Sequence, residues 1–141
     1  MKRLVFLLLP AVAFLSCKDE ITVQEQFDKD QKIIENYLEK NDINAKTDPD
    51  YGLYYVIQTQ GTGLRPKVTN QVNVSYVGTK LDGEVFDRND NINFDLAGLI
   101  RGWQILLPYL REGGTMTMYI PRYYAYDKEI LIFDISLHDV Q

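Results

Sequence analysis

The chain's only tryptophan, Trp103, closes the run Leu99-Ile100-Arg101-Gly102-Trp103, and Tyr76, Phe86, Phe94, Tyr126 and Phe133 recur on short alternating segments to either side. A lone tryptophan is most often core filler. Aromatics gathered from several strands and one helix, however, build a concave apolar pocket, the usual form of a small-ligand or substrate site. Binding and desolvation are the chemistry such residues can do. Nucleophilic or metal chemistry lacks an adequate set of residues, because His138 is the only histidine, Cys17 is the only cysteine and the acids are dispersed. Gly61-Thr62-Gly63 lacks the helix and further glycines that a phosphate-binding loop requires. The expectation is a site with no metal and no cofactor.

The pocket has to be assembled by strands. Val72, Val74 and Tyr76 alternate with Gln71, Asn73 and Ser75, which reads as a half-buried strand. Leu81-Asp82-Gly83-Glu84 carries a hairpin signal, Val85-Phe86 resumes beyond it, and Ile92, Phe94 and Leu96 alternate with polar residues in another short strand. Leu53 to Ile57 predicts a first strand, the Met116, Met118 and Ile120 series a further one, and Ile130 to Leu137 the last. From Gly98 to Leu110 the period becomes helical, with Trp103, Leu106, Leu107 and Leu110 on one side and Pro108 keeping the helix short or irregular. Met116, Met118, Leu107 and Leu110 read as core rather than pocket.

An earlier helix is marked by Phe27, Ile34 and Leu38, joined by Ile33 and Tyr37, and is closed by Asn41 and Asp42. It either packs on its own domain or pairs with a second copy of the chain. The fold class is α+β: a curled antiparallel sheet of about five strands around a short helix, preceded by this N-terminal helix.

The chain has 141 residues, 45% of them hydrophobic and 25% charged, which is one domain plus a short extension. Lys2 and Arg3 precede an apolar run from Leu4 to Leu15, interrupted only by Pro10, which is the pattern of a secretory signal. The net charge is −5; loss of Lys2 and Arg3 with the signal leaves 13 basic against 20 acidic side chains, a charge of −7. Nucleic acid is therefore not an expected partner.

Phe14-Leu15-Ser16-Cys17 resembles a bacterial lipobox, in the looser form found in Bacteroidetes lipoproteins. That resemblance implies cleavage before Cys17 and lipid attachment to it, leaving the domain anchored to a membrane of a Gram-negative cell envelope, on its periplasmic side or at the cell surface. The alternative is an ordinary secretory peptide with an incidental cysteine. The expected organisation is a signal peptide over 1–16, a lipidated spacer and N-terminal helix over 17–50, with the polar stretch Lys18 to Gln26 as spacer, and a domain over 51–141.

From Val72 to Val140 the motifs resemble the FK506-binding-protein class of peptidyl-prolyl cis/trans isomerases. Four pieces occur in family order: Val72 to Gly78 with Leu81 to Asp87; Leu99-Ile100-Arg101-Gly102-Trp103; Glu112-Gly113-Gly114 followed by Ile120-Pro121 and Ala125-Tyr126; and Leu131 to Ile135. The resemblance implies an FKBP-like fold and a proline pocket with Tyr76, Phe86, Asp87, Trp103, Tyr126 and Phe133 as catalytic residues and Phe94, Leu99 and Ile100 binding substrate. Trp103 would be the floor, with Tyr76, Phe94 and Phe133 as walls, and the Ile100 N–H and Tyr126 hydroxyl would donate to substrate. Asp87 would face the twisting amide or orient its neighbours, or else bond the backbone of the turn after Phe86. The implied partners are proline-containing polypeptides and FK506-like macrolides.

Two departures bear on activity. The long loop that usually follows the Ala-Tyr pair is reduced here to Asp127-Lys128-Glu129, so one wall of the site is expected to be missing, and the chain between Phe86 and Trp103 is also short. Two functions follow: an isomerase acting as a folding factor on exported proteins, or a weak or inactive binding module of an envelope complex.

Overall fold

The computed structural model describes residues 20–141; the signal run, Cys17, Lys18 and Asp19 lie outside the described residues. The chain runs α1 (Val23–Lys40), β1 (Lys46–Thr47), β2 (Tyr54–Thr59), β3 (Gln71–Lys80), β4 (Val85–Asp95), α2 (Arg101–Leu106), β5 (Thr115–Ile120) and β6 (Leu131–Val140). Short 3-10 turns flank α2 at Leu96–Gly98 and Leu107–Tyr109, and a third occupies Arg122–Tyr124. The strands form one antiparallel sheet in the order β1-β2-β5-β6-β3-β4. Five strands are long and the sixth, β1, is a two-residue edge. The architecture is the expected α+β one.

The two short strand segments expected at Val85-Phe86 and Ile92 to Leu96 form a single strand, β4, of 11 residues. Its middle residues, Asp87 to Asn91, are mostly exposed and polar, so they carry no alternation, and pairing to β3 extends the strand through them. Register shifts between Val74 and Tyr76 and between Gly78 and Thr79 bend this hairpin. At its tip the Lys80 N–H donates to the Glu84 carbonyl at 2.9 Å, and Gly83 takes the positive φ, 89°, that the tight turn needs.

Alternation along the strands gives the sheet two differently used faces. On one, Val72, Val74, Tyr76, Met116, Met118, Phe133, Ile135 and Leu137 form a core with Trp103, Leu106, Leu107 and Leu110 of the α2 region. On the other, α1 lays Ile34 and Leu38 against Tyr119, Ile130 and Ile132. The N-terminal helix is docked on its own domain. It starts at Val23, four residues before the expected Phe27, because Thr22 and Glu25 close a capping box that the polar spacer reading passes over. Among the described residues no helix is long and apolar enough to cross a membrane.

Pro108 keeps α2 short, with the last turn tightening to 3-10 geometry. The helix still approaches the sheet closely, because a Cβ on Gly102 would lie 2.6 Å from Cδ1 of Ile120. That approach sets the depth at which Trp103 is held.

Candidate active site

Trp103, 3% exposed, is surrounded edge-on by three rings: Tyr76 at 5.3 Å, Phe133 at 5.4 Å and Phe94 at 6.2 Å between centroids, with interplanar angles of 86°, 83° and 88°. Edge-to-face pairs of this kind suit the aromatic quadrupole and fix ring orientation as well as adding contact area. Tyr76 comes from β3, Phe94 from β4, Phe133 from β6 and Trp103 from α2. Four elements thus converge on one indole.

Above the indole opens a cleft of about 400 Å³. Tyr76, Phe94, Trp103 and Phe133 line it together with Asp87, Leu99, Ile100 and Tyr126. Phe86 is the one sequence-selected residue that does not line this cleft. Its ring packs edge-on to Phe133 at 5.6 Å and lines an adjoining cleft of about 460 Å³ with Asp87, Tyr126 and Leu131. Gly78 makes that arrangement possible, because a Cβ there would stand 2.7 Å from Phe86 Cζ and 2.9 Å from Phe133 Cε1.

Asn89 and Ile92 also line the cleft and were not selected from sequence. Ile92 shares the period-two face of Phe94, a usable signal; Asn89 lies in the polar stretch of β4 and has none.

The polar groups follow from the β3–β4 hairpin. Tyr76 donates its hydroxyl to Asp87 Oδ2 at 2.7 Å. Burial, then the Asp87 hydrogen bond and charge, push the Tyr76 phenol up to about 12, so it is a neutral donor at physiological pH. Asp87 thereby meets a cleft side chain, and among the described residues its carboxylate accepts no backbone N–H. Cleft-side bonding, not turn capping, is what its geometry supplies.

The turn before α2 sets the backbone donor. Ile100 is the N-cap of α2, with φ −56° and ψ 150°, and among the described residues its N–H meets no internal acceptor. Gln104, one turn along the helix, donates Nε2 to the Leu99 carbonyl at 2.7 Å and to the Ala97 carbonyl at 3.2 Å. Gln104 pins the strand-to-helix turn and was not singled out from sequence; its place one helical turn after Ile100 was the available signal.

On the opposite rim Tyr126 is 57% exposed, and its hydroxyl has no internal partner among the described residues. Lys128 and Glu129 are exposed beyond it, and the chain enters β6 almost at once. The cleft is open on this side, as the short loop implied. His138 lies on the outer face, its Nε2 2.6 Å from Ser75 Oγ, away from the cleft.

Residues 63–138 match the family model described as FKBP-type peptidyl-prolyl cis-trans isomerase. The FKBP-type peptidyl-prolyl cis-trans isomerase FkpA of Escherichia coli strain K12 is 36% identical over 103 residues, covering 64% of this chain and 38% of the relative. The outer membrane protein MIP of Legionella longbeachae is 34% identical over 104 residues, covering 64% of this chain and 45% of the relative. The chain thus spans less than half the length of these two relatives.

The crystal structure of E. coli FkpA superposes with a TM-score of 0.71 at 31% identity, over 84% of this chain and 62% of that one. A peptidyl-prolyl cis-trans isomerase of Pseudomonas syringae pv. tomato superposes with a TM-score of 0.72 at 26% identity, over 86% of this chain and 98% of that one. Every residue of the aromatic cleft, from Tyr76 to Phe133, falls inside the matched span, and this chain belongs to the FKBP-type peptidyl-prolyl cis-trans isomerase family.

Proposed function

We propose that this protein catalyses cis/trans isomerisation of X-Pro peptide bonds, with Trp103 as the floor of the proline pocket. The carrying observation is the closed set of edge-on rings around a nearly buried indole beneath an accessible cleft. An X-Pro bond rotates slowly because amide resonance holds it planar, behind a barrier of roughly 18–20 kcal/mol. Twisting removes that resonance and with it part of the negative charge on the carbonyl oxygen. A dry aromatic wall therefore favours the twisted amide over the polar planar one, with no nucleophile or proton shuttle.

In this reading Phe94, Tyr76 and Phe133 flank the proline ring, while Leu99 and Phe86 exclude water at the two ends. The Ile100 N–H holds a substrate carbonyl on one side. Tyr126 donates from the opposite rim, and Asp87, tied to Tyr76, faces the rotating amide. Proline-containing polypeptides are the substrates, and FK506-like macrolides would fill the same cleft.

The signal run and Cys17 support a lipid-anchored folding factor for exported proteins in a Gram-negative envelope, the setting that the name of the Legionella outer membrane protein indicates for that relative. Loss of lipid labelling in Cys17→Ser would support the anchor, and unchanged labelling would remove it.

One observation favours a second reading. Exposure of Tyr126 leaves one side of the cleft wet, which weakens desolvation and suits a binding module of an envelope complex that holds proline segments without turning them over. A protease-uncoupled isomerisation assay on a set of X-Pro peptides separates the two. Acceleration that disappears in Trp103→Leu supports the isomerase; stoichiometric peptide binding without acceleration supports the module.

A further inference from the structure

Taking the aromatic cleft as the isomerase site, we propose that Asp30 of the N-terminal helix is a positioning residue for it, holding the turn that carries Tyr126 by way of Arg122. Asp30 is fully buried, 0% exposed, on α1. Its Oδ2 accepts from the Arg122 backbone N–H at 3.0 Å and from Arg122 Nε at 2.9 Å, and its Oδ1 accepts from Arg122 Nε at 3.1 Å and from Gln26 Nε2 at 3.0 Å. A carboxylate taken out of water in this way is tolerable only when its oxygens are filled. Here they are filled almost entirely by one residue lying 92 positions further along the chain.

Arg122 passes the constraint on. Its carbonyl accepts from the Ala125 N–H at 3.0 Å and from the Asp127 N–H at 2.9 Å, the residues on either side of Tyr126. One residue is thus gripped by α1 through its N–H and guanidinium and grips both flanks of Tyr126 through its C=O. Tyr126 needs that grip, because it is too exposed to be held by packing and the usual supporting loop is short. Asp127 also has φ of 59°, the left-handed region that costs a non-glycine residue energy unless its surroundings hold it there.

Phe27 of α1 packs edge-on to Tyr124 at 5.9 Å, so the helix also braces the turn apolarly. Docking of the helix itself does not require Asp30, since Ile34 and Leu38 already bury against Tyr119, Ile130 and Ile132. The ion pair is placed to hold the turn.

Amide hydrogen exchange on the full chain, combined with peptide kinetics, tests this. In Asp30→Ala the Ala125 and Asp127 amides should exchange at least about tenfold faster while those of β5 and β6 keep their wild-type rates. Asp30→Asn and Arg122→Lys, which keep most of the bulk, should do the same to a smaller degree and serve if the alanine variant fails to fold.

In X-Pro kinetics the Asp30 and Tyr126→Ala variants should each raise KM, and the double variant should raise it no further than the worse single one. Multiplying effects, unchanged exchange at 125 and 127, or equal loosening across β5 and β6 would each overturn the proposal and leave Asp30 a general anchor of the helix. Local loosening in a chain that accelerates no peptide would support the clamp and sink the isomerase reading instead.

Discussion

Tyr76 and Asp87 are joined diagonally across the β3–β4 hairpin by a 2.7 Å hydrogen bond from the phenol to Oδ2. The pairing sits at the mouth of the cleft and ties a wall of the pocket to the one carboxylate that lines it. In register Tyr76 stands opposite Asn89 and Asp87 opposite Gly78, so the bond runs diagonally along the hairpin, just beyond the register shift between Val74 and Tyr76.

The cleft contains phenols, a carboxylate, amides and apolar groups but no histidine or thiol. We therefore expect kcat/KM to be flat between about pH 6 and pH 9, the range in which histidine and cysteine would titrate. A bell-shaped profile in that range would contradict a mechanism without proton transfer.

Stability should fall in alkali. Tyr76, Tyr109 and Tyr119 are each pushed up to about 12, by burial first for Tyr76 and Tyr119 and by the Asp48 hydrogen bond first for Tyr109. In the unfolded chain they ionise near about 10, so above that pH the unfolded state binds fewer protons and gains on the folded one. Full stability is present below about pH 10 and is lost as the pH rises toward about 12. Urea melts over this range should show the fall, and Tyr76→Phe should make it shallower.

Gly78 stands where the Phe86 and Phe133 rings close in. In Gly78→Ala the new methyl has to displace Phe86 and Phe133, which should cost about 1–3 kcal/mol and lower kcat/KM with it. Gly98→Ala is the control, because a Cβ there meets nothing within 4 Å. Equal effects of the two substitutions on melting and on catalysis would refute the packing argument.

Much of this was legible beforehand because the aromatic positions lie on alternating strands whose period declares their face. The core assignments of Met116 and Met118 rested on the same rule, those of Leu107 and Leu110 on helical spacing, and all four match their burial. Asp87 to Asn91 broke the alternation, so β4 read as two pieces and Asn89 passed unseen. Asp30 and Gln104 escaped for another reason. Each acts on a partner fixed by tertiary structure or by an irregular turn, and a lone polar residue on a helix carries no period to reveal it.

Gln104 should matter through Ile100. Gln104→Leu removes donors to the Leu99 and Ala97 carbonyls, freeing the turn that presents the Ile100 N–H. A hydrogen bond of about 0.5–1.5 kcal/mol corresponds to a loss of roughly 2- to 10-fold in kcat/KM, expected mainly in KM. Steady-state kinetics with an unchanged melting temperature would bear this out; an unchanged KM would exclude the role.

The indole beneath the cleft is the heart of the account, and exchange spectroscopy on an X-Pro peptide at its cis/trans equilibrium addresses it without any coupling enzyme. Wild-type protein at catalytic concentration should bring the two conformers into fast exchange, FK506 should abolish the effect, and Trp103→Leu, checked for folding by circular dichroism, should show little of it. Peptide resonances that shift on binding while the exchange rate stays at its uncatalysed value would contradict the isomerase and leave a binding module.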